Sequence, residues 1–187
     1  SAEQSLQLAI AEAALLRKAK QPQAAFDLLD ALLEKQPDNP ELLYETALLA
    51  ERLDQMEIME RRLRRLIELQ PENGQAYNAL GYSFADRGIQ LTEARELIEK
   101  AQALMPNDTF ILDSLGWVLY RQGDLPGGLA ALERAYGMRD EPEIAAHLGE
   151  VLWFMNRKDE AQKLLRAAQK KHPDNEPLAD AVKKFAD

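Results

Sequence analysis

The sequence predicts an all-α chain of repeated helix pairs, and three observations carry that prediction. Ala, Leu, Glu, Gln, Lys and Arg dominate, while Gly and Pro supply only nine residues each of the 187, so helix formers are abundant and breakers sparse. No segment alternates apolar and polar residues at period two, as a half-buried strand would. A Leu-Gly pair recurs at Leu80-Gly81, Leu115-Gly116 and Leu148-Gly149, spaced 35 and 33 residues apart, and self-similarity at such a period marks a repeat architecture.

Taken in order, the units share one grammar. The first runs Ala9, Ala13, Leu16, Ala25, Leu29, Leu32, Pro37, and the second Leu43, Ala47, Ala50, Met59, Leu63, Leu66, Pro71. The third reads Tyr77, Leu80, Gly81, Phe84, Gly88, Ala94, Ile98, Ala101, Pro106. The fourth reads Leu112, Leu115, Gly116, Leu119, Gly123, Gly128, Leu132, Ala135, and the fifth Ala145, Leu148, Gly149, Leu152, Asn156, Ala161, Leu165, Ala168, Pro173. The tripeptides PDN at 37–39, PEN at 71–73, PND at 106–108 and PDN at 173–175 close their units. Five units follow, at 6–39, 40–73, 74–108, 109–141 and 142–175. The third carries one extra residue, within GIQLTEA, and the fourth is one short, with Asp140 in place of the closing Pro.

Each helix has about 14 residues, roughly 21 Å at 1.5 Å per residue, which is too short to persist alone in water. Stability must therefore come from packing one helix on the next. Small residues at two fixed places (Gly81, Gly116, Gly149; Ala25, Ala94, Gly128, Ala161) allow close approach within a unit. Gly88, Gly123 and Asn156 suit a left-handed turn after the first helix. Lys20 and Asp54 hold that place in the first two units, so those turns are expected to be built differently. A last helix at 176–187, with Leu178, Val182 and Phe185 on one side and Asp180, Lys183 and Lys184 on the other, supplies the polar closing element a solenoid needs. No matching polar cap is evident at the start.

This pattern resembles the tetratricopeptide repeat, a helix–turn–helix unit of about 34 residues. The resemblance implies a right-handed α–α superhelix: one domain over 1–187, with five repeats and a C-terminal capping helix, in a chain that reads as a fragment of a longer repeat protein. It also implies that positions 2, 5, 9, 12 and 13 of each unit line a concave groove. Those positions are Gln7, Ile10, Ala14, Arg17 and Lys18, then Glu41, Tyr44, Leu48, Glu51 and Arg52, then Gln75, Asn78, Tyr82, Ala85 and Asp86. The fourth unit adds Phe110, Asp113, Trp117, Tyr120 and Arg121, and the fifth Glu143, Ala146, Glu150, Trp153 and Phe154.

Several functions are disfavoured. A net charge of −9 argues against a nucleic-acid surface, which needs clustered cations against phosphates. The one basic knot, Arg61, Arg62, Arg64 and Arg65, is interleaved with Glu57, Glu60 and Glu68 and reads as a salt-bridged solvent face. No cysteine is present, and no apolar run approaches the ~18 residues of a membrane span, so direct membrane insertion is not expected. No signal peptide is visible; the abrupt helical opening SAEQSLQLAIAEAALL suggests a cut end with an export signal upstream. His147 and His172 lack any metal-ligand spacing and read as packing or surface residues. Ser5, Ser83 and Ser114 lack a nucleophile-elbow setting. GxxxxGK[ST] is absent, which makes Gly116 and Gly123 packing and turn glycines rather than a phosphate loop. Neither catalysis nor a cofactor nor a metal is expected.

Function is then expected from the groove. Aromatic residues and Arg are the types that anchor interfaces, and they gather in the last units. The candidate partner-binding set is Tyr44, Asn78, Tyr82, Phe110, Asp113, Trp117, Tyr120, Arg121, Glu150, Trp153 and Phe154. The competing reading is that Tyr120 and Trp153 merely cover neighbouring helices. Position 6 reads Ala11, Glu45, Ala79, Ser114 and His147, without the Asn and Arg of a carboxylate clamp for chaperone tails.

YNALGYSFADRG, ILDSLGWVLYRQGDLPGGL and EIAAHLGEVLW further resemble the C-terminal repeats of proteobacterial envelope tetratricopeptide proteins, some of them outer-membrane lipoproteins. A pseudomonad member is an adaptor that delivers cell-wall hydrolases to a periplasmic carboxyl-terminal processing protease. That resemblance implies a non-catalytic scaffold in the periplasm, tethered to the outer membrane through an upstream segment, with the protease and its hydrolase substrates as partners; without it, a cytoplasmic scaffold is expected. The alternatives are end-to-end self-association, or capture of a small cell-wall ligand in the groove.

Overall fold

A computed structural model describes residues 2–186. Among them lie eleven α-helices and no strand: α1 (Ala2–Lys18), α2 (Pro22–Leu33), α3 (Pro40–Arg52), α4 (Met56–Leu69), α5 (Gly74–Arg87), α6 (Leu91–Leu104), α7 (Thr109–Arg121), α8 (Leu125–Met138), α9 (Pro142–Phe154), α10 (Lys158–Lys171) and α11 (Glu176–Phe185). The fold class is all-α, built of tetratricopeptide-type helix pairs. Asp187, the end of the expected closing helix, lies outside the described residues. The contacts resolve into two compact units, Ser1–Leu80 and Gly81–Asp187, dividing within α5.

The tripeptides that close each unit also start the next. Asn39 Oδ1 accepts from the backbone N–H of Glu41 and of Leu42, both at 3.1 Å. Asn73 does the same for Ala76 at 3.0 Å, Asp108 for Phe110 and Ile111 at 2.9 and 3.1 Å, and Asn175 for Leu178 at 2.9 Å. Each satisfies donors that a helix N-terminus leaves without intrahelical partners. The fourth repeat lacks this tripeptide, and α9, which opens the fifth, begins at Pro142 after Glu141 with no side-chain cap. There Asp140, standing where Pro is expected, instead accepts from Lys171 and ties the end of α8 to α10.

The turns of the first two units correct the expectation set by Lys20 and Asp54. Both residues adopt the left-handed conformation, with φ of 57° and 59°, as do Gly88 at 68°, Gly123 at 91° and Asn156 at 63°. Tertiary packing of short helix pairs thus overrides the local preference of a Lys, at a strain of roughly 1–2 kcal/mol. The extra residue of the third unit is absorbed the same way, by Gln90 at φ 46° just ahead of α6. Gln90 is exposed and donates no side-chain cap. Gln90→Gly should therefore stabilise the chain by about 0.5–1 kcal/mol, once the greater freedom of unfolded Gly is set against the relieved strain. A rise in denaturant midpoint at unchanged slope checks it.

In the first unit α1 packs on α2, α2 on α3 and α3 on α4. Its core holds Ala25, Leu29, Leu42, Ala47, Leu49, Leu63 and Leu66, all fully buried. Arg62 departs from the expected solvent face. It lies three residues after the buried Met59, on the apolar side of α4, so it turns inward, pairs with Asp30 of α2 and sits 4.8 Å from the Phe26 ring centroid. Arg64 and Arg65 do form surface pairs, with Glu60 at 2.8 Å and with Asp38 and Glu68 at 2.9 and 3.0 Å.

In the second unit the pairs α7–α8 and α9–α10 stack in sequence, and α7, α9 and α11 also touch along one side. Close approach rests on the small residues: a Cβ at Gly116 would stand 2.6 Å from Leu132 Cγ and 3.1 Å from the Gly128 carbonyl oxygen. Leu178, Ala181 and Val182 of α11 are buried against Ala145, Ala146, Leu165 and Ala168. Arg166 of α10 holds the end of α11 through the Ala186 carbonyl, with Nε donating at 3.1 Å.

Candidate functional site

The site follows from where Gly116 and Gly149 must point. Each turns toward the second helix of its own pair, against Leu132 and Leu165. With 3.6 residues per turn, a different stripe of each first helix faces its neighbours. On α7 that stripe is Asp113, Trp117 and Tyr120; on α9 it is His147, Glu150 and Phe154. These spacings of three, four and seven bring the two rows side by side.

At their centre is a polar network around His147. Its Nδ1 stands 3.0 Å from both oxygens of Asp113, and its Nε2 3.4 Å from the Tyr82 hydroxyl. The Trp117 ring stacks on the imidazole at 4.2 Å and 22°. His147 and Asp113 side chains are only 14% and 7% exposed. Burial pulls the imidazole pKa down, but the Asp113 charge and hydrogen bond, with Asp86 and Glu150 nearby, outweigh it and hold His147 above its ordinary 6.5. The buried indole N–H of Trp117 has no acceptor among the described residues. Arg121 stands over the Trp117 ring at 5.7 Å and donates to the Asp86 carbonyl at 2.5 Å.

Toward the end of α9 the surface becomes aromatic and open. Tyr120 donates to Glu150 Oε1 at 2.9 Å, and burial together with that bond raises its pKa, keeping it a neutral donor. Tyr120 lies 6.1 Å from Phe154, which meets Phe185 of α11 edge-on at 6.0 Å. Trp153 lies 5.9 Å from the same Phe185, with Lys158 Nζ 4.7 Å above its ring. Phe154 is 58% exposed, although the rings of Tyr120 and Phe185 pack beside it.

The structure thus gathers Tyr82, Asp113, Trp117, Tyr120, Arg121, Glu150, Trp153 and Phe154 on one side of the second unit. Phe110, 43% exposed, stands apart from that cluster under Arg139. Tyr44 and Asn78 lie in the first unit, Tyr44 in a shallow cleft with Glu41, Gln70 and Gln75. Trp117, named from sequence as a groove residue, is 5% exposed and its ring stacks on His147, so it packs inside the unit rather than standing open to a partner. His147, read from sequence as a packing or surface residue, and Phe185, read as part of the closing helix's apolar stripe, stand outside the candidate set, and Lys158 is not singled out there. His147 stands four residues after Glu143 and three before Glu150 on the expected groove side of α9, and that spacing is the signal that could have found it.

Among the described residues, no three His, Cys, Asp or Glu side chains cluster as a metal would require, and no helix is long and apolar enough to cross a membrane.

Comparison with known proteins agrees with this architecture. Over 146 residues the chain is 42% identical to a TPR repeat-containing protein of Pseudomonas aeruginosa, a match that takes in 78% of this chain and 25% of that protein. A shorter match, 36% over 64 residues, is to bacteriophage adsorption protein A of Escherichia coli, covering 34% of this chain and 6% of that one. The chain therefore spans a quarter or less of the length of these relatives. Among solved structures, a thermophilic TPR protein of Thermus thermophilus superposes with a TM-score of 0.84 at 23% identity, covering 97% of both chains. PilW, a type IV pilus biogenesis factor, superposes at 0.78 with 16% identity, over 98% of this chain and 89% of its own. Likeness at that identity speaks for the fold alone. Tetratricopeptide-repeat models match residues 60–109 and 119–184, together more than half of the chain. On these matches and the paired-helix architecture, the chain belongs to the tetratricopeptide-repeat family.

Proposed function

We propose that the chain is a non-catalytic scaffold that binds an extended or helical segment of a partner protein along the α7–α9–α11 side of its second unit. Tetratricopeptide proteins generally mediate protein–protein interactions, and Phe154 is the observation that carries the reading here. A Phe left 58% exposed between Tyr120 and Phe185 is a rigid apolar anchor with the Tyr120–Glu150 pair as a polar rim.

The finer proposal is that this scaffold is an adaptor in the periplasm, held at the outer membrane by upstream sequence, which presents cell-wall hydrolases to a carboxyl-terminal processing protease. Its support is the resemblance of the last repeats to envelope tetratricopeptide proteins and the 42% identity to the Pseudomonas protein.

Capture from a bacterial envelope extract, with the chain and its Phe154→Ala variant side by side and mass-spectrometric readout, tests both levels. A protein retained by the first and lost from the second supports the scaffold; a protease or hydrolase among the losses supports the adaptor. Identical capture by the two would remove Phe154 from the account. Phe154 serves better than Trp117, because truncating a buried, stacked Trp would cost about 3–5 kcal/mol of fold and confuse binding with stability.

A further inference from the structure

One side chain fastens three first helices of the second unit together. His147 of α9 reaches both carboxylate oxygens of Asp113 on α7 through Nδ1, and the Tyr82 hydroxyl on α5 through Nε2. Its ring lies flat against Trp117 of α7, with the Tyr82 ring 6.0 Å away.

The charges around this imidazole are one-sided. Asp113 is buried and, among the described residues, has no cation within ion-pair distance other than His147. Asp86 acts on the ring from α5, and Glu150 from one turn further along α9. Glu143, one turn earlier on α9, is turned away to Asn175. Arg121 of α7 is committed to the Asp86 carbonyl and the Trp117 ring. A protonated His147 therefore neutralises the cluster. A neutral one leaves a buried carboxylate beside two like charges, which a site of low dielectric tolerates poorly. The hydrogen bonds change sense as well. The imidazolium donates from both nitrogens, whereas the neutral ring keeps Nδ1–H for Asp113 and accepts from the Tyr82 hydroxyl at Nε2.

His147, Glu150 and Phe154 follow one another at spacings of three and four on α9, so they share a face. Tyr120 of α7 bonds to the second of them and packs beside the third. Any change in how α9 sits against α7 thus moves Phe154 relative to Tyr120.

We infer that the proton on His147 works as a clasp, which when bound holds α9 against α5 and α7 and when released lets α9 shift and rearranges the Tyr120–Phe154 side. Burial opposes the charge on the ring, but the Asp113 charge and hydrogen bond, with Asp86 and Glu150, outweigh it and raise the pKa above 6.5. The clasp is therefore closed below pH 6.5 and opens as pH rises through the folded value. The movement follows from these contacts alone; that it changes partner binding rests on the docking side proposed above.

The test is a nuclear magnetic resonance titration of the full chain from about pH 6 to about pH 9, following the ring protons of His147 and Phe154. Hydrogen exchange at the two ends, corrected for the intrinsic rate, accompanies it. The Phe154 resonances should move with the midpoint of His147, and the protection of α9 amides should fall at least about threefold at the alkaline end. In His147→Gln, which keeps a donor for Asp113 and cannot titrate, both should be independent of pH. Tyr82→Phe, which loses only a hydroxyl, serves if that variant does not fold: the α5 amides should then cease to follow the His147 midpoint. A His147 that does not titrate in this range, or one that titrates while Phe154 stays fixed, would overturn the clasp. A captured partner segment should bind at least about threefold more weakly to the parent at the alkaline end, and equally at both ends to His147→Gln. Movement of Phe154 with unchanged affinity supports the clasp and counts against the docking side instead.

Discussion

Gly116→Leu should lower the thermal midpoint by roughly 6–12 °C, from a loss of about 3 kcal/mol at 2–4 °C per kcal/mol for a chain of this size. The reason is geometric. A first carbon alone at Gly116 would meet Leu132 Cγ at 2.6 Å and the Gly128 carbonyl at 3.1 Å, and the rest of a leucine has nowhere to go. Leu132 is itself fully buried, and Gly128 presents backbone that cannot step aside without parting α7 from α8. Gly137, in the same helix pair, provides the contrast: nothing lies within 4 Å of where its Cβ would be. Gly137→Ala should be neutral or stabilising by up to ~1 kcal/mol, because Ala is the better helix former. Thermal melts of the two variants together separate overpacking from a general intolerance of change. Equal stability of Gly116→Leu and the parent would undo the repeat register.

Asp113→Asn should invert the pH dependence that His147 gives the fold. In the parent chain the folded pKa of His147 lies above 6.5, because Asp113 and its neighbours outweigh burial. A raised folded pKa means that the stabilisation is fully present below the unfolded value of 6.5 and is lost as pH rises through the folded value. With Asp113 neutralised, burial is left opposed only by Asp86 and Glu150, and the folded pKa falls below 6.5. The variant then loses stability as pH falls, by up to about 2 kcal/mol at pH 5, the linkage limit for a histidine with an unfolded pKa of 6.5. Melting curves at acid and alkaline pH, with the His147 ring protons followed by nuclear magnetic resonance, check both sign and size. Parallel pH profiles for parent and variant would show that the Asp113 contact does not hold the charge.

The repeat architecture was legible because each unit repeats the same packing problem. Gly81, Gly116 and Gly149 face a second helix at distances no side chain tolerates, and the register can be read from those residues alone. Conformation at the turns was less legible. Lys20 and Gln90 take left-handed φ because the helices on either side are fixed by packing, and no local preference announces it, whereas Asp54 is of a type that tolerates that region. The site was legible as a list of positions and not as a network. Asp113 and Trp117 sit where a groove residue should, yet they are 5% exposed, since His147 from the next unit fills the space between them. That depends on a pairing 34 residues away in sequence, which spacing within one helix does not encode. Arg62 is the same lesson in the first unit, a charge in an apparent surface run that a partner on α2 draws inward.

If a partner docks on the α7–α9–α11 side, Phe154 should carry much of the affinity. A segment of a captured partner should be titrated against the parent chain and Phe154→Ala, with the emission of Trp117 and Trp153, the only two tryptophans of the chain, as the signal. Binding should be at least tenfold weaker in the variant, about 1.4 kcal/mol or more, with helicity and melting unchanged. Equal affinity for the two chains would contradict it.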